Sequence, residues 1–285
     1  MTSYARFLRL GIIPIAIVYA ILFIFPAFNF LQLSFTEPGA EGLTLDVFAR
    51  VLAMPVVLDS LRTTLYLSLI TGIFSLIIGY LGAYFVVHGG RLLSTFVFVA
   101  ALSSLLTSAV ARALGWRVLL ADSGPINALL VGLGLVDEPL RLINNAIAVT
   151  IGLIHVQAPI VMIALISVIE GLPKNYERAA HGLGAPAWRA FFQIHLALTW
   201  KDALPISLIA VMATAAYFTT PMLLGGGRVL VTSILVQQFA QVVVDYRTAA
   251  AISVILTLLV AAIALLVLVA TRLRSRSERR LRKVS

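Results

Sequence analysis

Residues 176–196 read YERAAHGLGAPAWRAFFQIHL, a polar stretch set between two long apolar runs. Ala179 and Ala180 stand just ahead of Gly184, and Ile194 and Leu196 follow it by ten and twelve residues. This spacing predicts a helix over Tyr176–Leu183, ended at Gly184 by a residue free to take a positive φ. Pro186 suits the first turn of a second helix. In that helix Trp188, Phe191, Phe192 and His195 fall at i, i+3, i+4 and i+7, on one apolar-to-aromatic face. A small-residue face, a glycine break and a second amphipathic run make a docking element, not an active site. The competing reading from spacing alone is an interfacial helix lying on lipid headgroups.

Working outward, the 285-residue chain is 61% hydrophobic and 12% charged, whereas soluble domains are about half apolar and a quarter charged. Six apolar runs stand out, at about 11–33, 61–87, 92–114, 146–170, 203–224 and 249–271. Each has roughly the 20 residues a helix needs to cross about 30 Å of hydrocarbon. The alternating segments of an outer-membrane barrel are absent. The expected fold class is therefore an all-α membrane protein with six transmembrane helices. The first run exceeds a signal peptide's apolar core of about 7–15 residues and reads as a retained helix. One membrane domain is expected over 11–271, with flanks at 1–10 and 272–285.

The net charge of +9 is unevenly spread. Arg272, Arg274, Arg276, Arg279, Arg280, Arg282 and Lys283 make a basic tail directly after the last run. Such a tail is a topology anchor facing anionic lipid and gives no indication of nucleic acid as a partner. Arg6, Arg9, Arg91, Lys174, Arg178, Arg189 and Lys201 lie on the same side as that tail. The opposite connections hold Glu37, Glu41, Asp46, Asp59, Asp122, Asp137, Glu138 and Asp245. The positive-inside rule thus places both termini and the 171–202 loop in the cytoplasm, and an even number of spans gives the same side for both ends.

Several chemistries are missing. No G-x-x-x-x-G-K-[ST] phosphate loop occurs, so this chain is not expected to hydrolyse ATP itself. H-E-x-x-H and G-x-S-x-G are absent, which argues against a protease or hydrolase. There is no Cys, and His88, His155, His181 and His195 are scattered. No catalytic residue, metal site or cofactor is expected in this chain. Between 115 and 145, Ser123-Gly124-Pro125 and Asp137-Glu138-Pro139 mark turns around a short surface helix over Ile126–Leu135. Gly225-Gly226-Gly227 reads as a flexible turn, with close approach to a ligand as the alternative.

Polar residues inside the spans are candidates for a solute path. Arg112 lies near the end of the third run, where snorkelling or bracing of an outer gate are both open. Glu170 sits at the interface that ends the fourth run. His155, Gln157 and Pro159 interrupt the fourth run, and Tyr217, Thr219, Thr220 and Pro221 interrupt the fifth. Such groups also glue helices together without lining anything, and spacing does not separate the two roles.

The 176–196 stretch resembles the cytoplasmic "EAA" loop of the membrane subunit of bacterial ABC importers. Similarity to spermidine/putrescine-type permeases extends over roughly 60–270. It is carried by Arg112 to Trp116, Gly124-Pro125-Ile126-Asn127, Glu138-Pro139-Leu140, NAIAVTIGLIHVQAP at 145–159 and Phe218 through Gly226. The resemblance implies a type I ABC importer permease fold, in the bacterial inner membrane. It also implies coupling of the loop to an ATPase through Glu177, Arg178, Ala179, Ala180, Gly184, Ile194 and Leu196. The family's leading Glu falls on Arg178, with Glu177 one place early, and its closing Pro falls on Ala197.

The implied partners are a second homologous permease in a heterodimer, two ATPase subunits that bind the ATP, and a periplasmic solute-binding protein. The implied cargo is a polyamine, although related permeases carry amino acids, opines, phosphonates or ferric iron. A polycation calls for acids or aromatic faces along its way. The spans offer almost no acids, leaving Tyr66, Tyr80, Tyr84 and Tyr217. Rival classes are a secondary transporter, which predicts inverted repeats that this sequence does not show, and a structural membrane subunit.

Overall fold

The computed structural model describes residues 13–37, 42–173, 175–182 and 184–281, and its regular structure there is entirely helical. The side chains of 177, 181, 187 and 270–281 lie outside that description, as do the 1–10 flank and the end of the basic tail. In chain order the helices are α1 (Ile13–Leu33), α2 (Asp46–Leu52), α3 (Pro55–His88), α4 (Arg91–Leu106) and α5 (Ala109–Leu119). Then come α6 (Pro125–Gly132), α7 (Ala146–Glu170), α8 (Asn175–Gly182) and α9 (Trp188–Ala215). The last three are α10 (Thr219–Leu224), α11 (Thr232–Gln241) and α12 (Tyr246–Leu281).

Five helices among the described residues are long and apolar enough to span a bilayer, and α4 with α5 makes a sixth, bent by 110°. The expected six spans are therefore present, with two corrections. The third run is broken, at Thr107 and Ser108, both of which are extended. The cause is local. In LSSLLTS the Ser103 hydroxyl donates to the Ala100 carbonyl at 2.8 Å, and the Thr107 hydroxyl to that of Ser103 at 2.8 Å. Such side chains offer the backbone an alternative to the helical ladder.

The fifth span starts at Trp188, not near 203, and ends at Ala215, with α10 separate. Arg189, Gln193, Thr199, Lys201 and Asp202 lower the hydropathy there without weakening the helix. Pro221 starts the new helix, because its missing N–H costs nothing in a first turn.

The chain divides into two compact units, 1–60 with Leu235–Leu258 and Leu61–Ile234 with Leu259–Ser285. In the first, Ala20–Ile24 of α1 widens into a π turn just ahead of Pro26, and the Phe25 N–H reaches back to the Ala20 carbonyl. The wider turn relieves the clash a proline ring makes with the carbonyl four residues back. Asp245 caps α12 in the same unit. Its carboxylate accepts from the Thr248 N–H at 3.1 Å and the Thr248 hydroxyl at 2.6 Å.

In the second unit α3 and α7 approach closely along small residues. A Cβ on Gly79 would stand 3.0 Å from the Ala158 carbonyl oxygen and the Met162 nitrogen. Inside a bilayer lipid is as apolar as leucine, so helices associate by such close packing and not by a hydrophobic drive. One buried cluster gathers Tyr80, Val161, Met162, Leu165 and Ile169, and another gathers Leu67, Leu120, Val149, Leu153 and Leu224. The short surface helix is α6, which ends at Gly132 and not at the expected Leu135, because Gly134 takes φ +66° and the Leu135 N–H turns back to the Leu130 carbonyl at 3.0 Å. Asn127 is buried and pins α6. Its amide N–H groups donate to the carbonyls of Ala121 and Leu140, and its oxygen accepts from the Leu140 N–H.

Candidate functional site

The docking stretch begins where α7 ends at Glu170. Gly184 closes α8 with φ +78°, and the Ala185 N–H donates to the Ala180 carbonyl at 3.0 Å. That six-to-one bond is a Schellman closure, and the left-handed residue it needs is glycine. Arg178 and Ala179 are exposed and Ala180 half-buried, while the Glu177 side chain is outside the described residues. Pro186 precedes the next helix as its cap, one place before the first turn expected of it. Its carbonyl accepts from the N–H groups of Arg189 and Ala190. With no N–H and its φ fixed, a proline also serves in that half-helical position.

The predicted single aromatic face splits in two. Phe191–Leu196 is π-helical, and the wider turn changes the angular phase of the residues beyond it. His195 is buried at 3% exposure with Phe191 half-buried, whereas Trp188 and Phe192 are 61% and 56% exposed. The inward pair joins an aromatic stack. Tyr84 lies parallel to His88 at 4.5 Å between centroids and edge-on to Phe191 at 4.9 Å, and His88 meets His195 at 4.6 Å. The Tyr80 hydroxyl bonds that of Thr199 at 2.8 Å, and Thr199 donates in turn to the His195 carbonyl. Ile194 and Leu196 are half-buried beside this stack. A cleft of about 460 Å³ opens there, lined by His88, Glu170, Leu172, Tyr176, Ile194 and His195.

A second polar centre sits at the α4–α5 break. Pro159 has no N–H to give the His155 carbonyl four residues earlier, and the Ser104 hydroxyl donates to that carbonyl instead, at 3.1 Å. Arg112 donates to the Ser104 carbonyl and, at 3.4 Å, to that of Thr107. The Trp116 indole N–H donates to His155 Nδ1 at 2.8 Å, so the ring's own hydrogen sits on Nε2. A neighbouring cavity of about 460 Å³ is lined by Trp116, His155, Ala101, Ile151, Pro159 and Met162. Sequence reading found Arg112 and His155 but missed Ser104 and Trp116 as their partners. The run of hydroxyls at 103–108 was the available signal.

The remaining path candidates are dispersed. Gln157 has 0% exposure, and neither its amide nitrogen nor its oxygen has a hydrogen-bond partner among the described residues. Thr220 is buried beside Gly152, where an added Cβ would meet its methyl at 2.7 Å. Thr219 and Tyr217 are half-buried. The Tyr217 carbonyl, just ahead of α10, accepts from the Ser233 hydroxyl at 2.7 Å. Of the four tyrosines expected to offer faces, Tyr80 is buried at 4% and Tyr84 is stacked, whereas Tyr66 is 60% exposed.

No protein-family model matches the chain. A spermidine/putrescine transport system permease protein PotB of Salmonella typhimurium is 28% identical over 280 residues, 96% of each sequence. The protein of that name from Escherichia coli is 30% identical over 234 residues, 81% of this chain and 83% of its own length. Among solved structures, a chain of a bacterial ABC transporter that imports the acidic polysaccharide alginate superposes with TM-score 0.77 at 18% identity, over 95% of this chain and 96% of its own. A chain of the MetNI methionine ABC transporter gives 0.55 at 16% identity, over 76% of this chain and 95% of its own. The fold is thus that of ABC transporter membrane subunits, and by its likeness to the Escherichia coli protein the chain belongs to the family of spermidine/putrescine transport system permease proteins.

Proposed function

We propose that this chain is the membrane-spanning subunit of an ATP-driven importer whose cargo is a polyamine of the spermidine/putrescine class. The observation that carries the cargo is the 30% identity to the Escherichia coli permease over 83% of that protein. The chain is a transport subunit, not an enzyme, and a multi-pass protein of the inner membrane. ATP binds to a partner ATPase, two copies of which sit below a heterodimer of this chain with a second permease, while a periplasmic binding protein delivers the cargo from above. In this reading 11–271 is one membrane domain with both termini cytoplasmic.

The docking stretch carries the ATPase contact. Exposed Arg178, Ala179, Trp188 and Phe192 offer the contact surface, and Gly184 sets the angle between its two helices. Glu177 supplies the acid that faces a basic patch of the ATPase. Beneath it, the Tyr84–His88–His195 stack ties the stretch to α3.

The test is reconstitution of this chain with its second permease, the ATPase and the binding protein in vesicles. ATP-dependent uptake of labelled putrescine or spermidine is the expected result. Uptake of ferric iron, a phosphonate or an amino acid without any polyamine uptake overturns the cargo assignment. Uptake that needs no ATPase overturns the importer reading.

A further inference from the structure

A path for a polycation ordinarily shows carboxylates, and this one shows almost none. The α4–α5 break supplies partial negative charge of another kind. The last carbonyls of a helix have no intrahelical donor and carry the negative end of its dipole. At the end of α4 the carbonyls of Ser104 and Thr107 converge on one nitrogen of Arg112. No acid among the described residues forms an ion pair with that guanidinium. Its charge is matched by backbone oxygen alone.

We propose that the carbonyl end of α4 is an ammonium-binding subsite, and that Arg112 is its resident occupant, displaced by an amine of the cargo during transport. This rests on the polyamine reading above. An alkylammonium carries one positive charge and three N–H donors, and so it replaces a guanidinium nitrogen bond for bond. The carbonyls exchange one monocation for another with their hydrogen bonds kept, and the released guanidinium, already partly exposed, takes its hydrogen bonds from water. A path built this way passes a cation without trapping it. Half-helix carbonyl ends serve cations in the same manner where membrane helices are broken.

Two neighbours fit the rest of an aliphatic diamine. Trp116, one turn beyond Arg112, lines the adjoining cavity and is a ring of the kind that attracts an ammonium. The adjoining cavity of about 460 Å³ is walled by Ala101, Ile151, Pro159 and Met162, which suit a methylene chain. Through its hydroxyl Ser104 also holds the His155 carbonyl, so the subsite is fastened to α7 and does not ride on a loose loop.

The bland alternative is an arginine that caps a helix end and never leaves it. Thermal unfolding of the purified permease–ATPase complex separates the two. Arg112→Ala should unfold earlier than wild type, and millimolar methylguanidinium or putrescine should raise its Tm by about 2–4 °C. Wild type and Arg112→Lys should not respond, because their site is filled. Sodium or choline at equal ionic strength should leave all three unchanged. If Arg112→Ala fails to assemble, Arg112→Gln keeps part of the bulk without the charge, and it should show the same selective rise.

A response to neither amine in these variants, or an equal response in wild type, overturns the subsite. Selective rescue by methylguanidinium in a transporter that takes up no polyamine overturns the exchange together with the cargo assignment. Polyamine uptake without rescue removes the subsite and leaves the cargo standing.

Discussion

Two prolines, Pro159 in α7 and Pro221 in α10, sit differently in their helices. Pro159 is interior and deprives the His155 carbonyl of its donor, which the Ser104 hydroxyl replaces, whereas Pro221 lies in a first turn and the Tyr217 carbonyl, ahead of that helix, accepts from the Ser233 hydroxyl. What surrounds the two carbonyls also differs. Tyr217 packs against the apolar cluster that holds Leu224, Val149 and Leu153. Around His155 the repair continues outward, through Ser104 to Arg112 and through the imidazole to Trp116. The first site is closed by apolar packing, whereas the second continues through hydrogen bonds to a charged side chain and borders a cavity.

The largest way to break this comparison is to disturb the closed site. At Gly152 an added Cβ would meet Leu224 at 2.6 Å and Thr220 at 2.7 Å, where α7 packs on α10. Gly152→Leu should cost about 1–3 kcal/mol or more through overpacking, and it should abolish detergent-stable monodisperse protein in size-exclusion chromatography. Next comes removal of the open site's hydroxyl. Ser104→Ala leaves a buried carbonyl without a donor, at about 1–3 kcal/mol, and its Tm should fall further than that of Ser233→Ala, where the serine is half-buried. Equal losses at the two serines would mean that both sites are of one kind.

The third test uses the residue two places beyond His155. Gln157 is wholly buried without a partner among the described residues, so this conformation bears its desolvation cost. Gln157→Leu should raise stability by about 1 kcal/mol while slowing uptake, as expected of an amide that is used only when the helices move. A fall in stability would show that the amide is satisfied in the resting state.

The smallest effect lies at Asp245. Burial, the largest influence, would raise its pKa, but the hydroxyl and N–H of Thr248, the Arg247 N–H and the charge of Arg50 together outweigh it, leaving the carboxyl below its usual 3.8. A depressed folded pKa gives stability above the ordinary carboxylate value that is lost as pH falls through the lowered one. Wild type should lose slightly more Tm than Asp245→Asn when pH is taken from about 6 to below 4. A parallel decline in both would remove the cap from the account.

The spans were legible because hydropathy reports residence in lipid directly. It does not report helix continuity, and both departures come from that gap. Averaged over a window, LSSLLTS is still apolar, yet the chain bends there by 110°. Conversely, Lys201 and Asp202 end the apolar window without ending the helix. At the candidate site the sequence named Arg112, His155 and the left-handed glycine at 184, each a residue whose own chemistry declares it. It could not name Ser104 as the partner of a carbonyl 51 positions away. It also could not foresee the π turn that divides Trp188 and Phe192 from Phe191 and His195, since that turn depends on the stack beneath.

One consequence concerns the arithmetic of length. From Trp188 to Ala215 the chain is a single helix of 28 residues, a strut of about 40 Å at 1.5 Å per residue. A displacement applied along the axis at Trp188 is carried toward Ala215, with the π turn and Pro205 as the two places where the rod can yield. Inserting or deleting one residue anywhere between them would rotate everything beyond by about 100°. Surface loops of this protein should accept such edits; this rod should not.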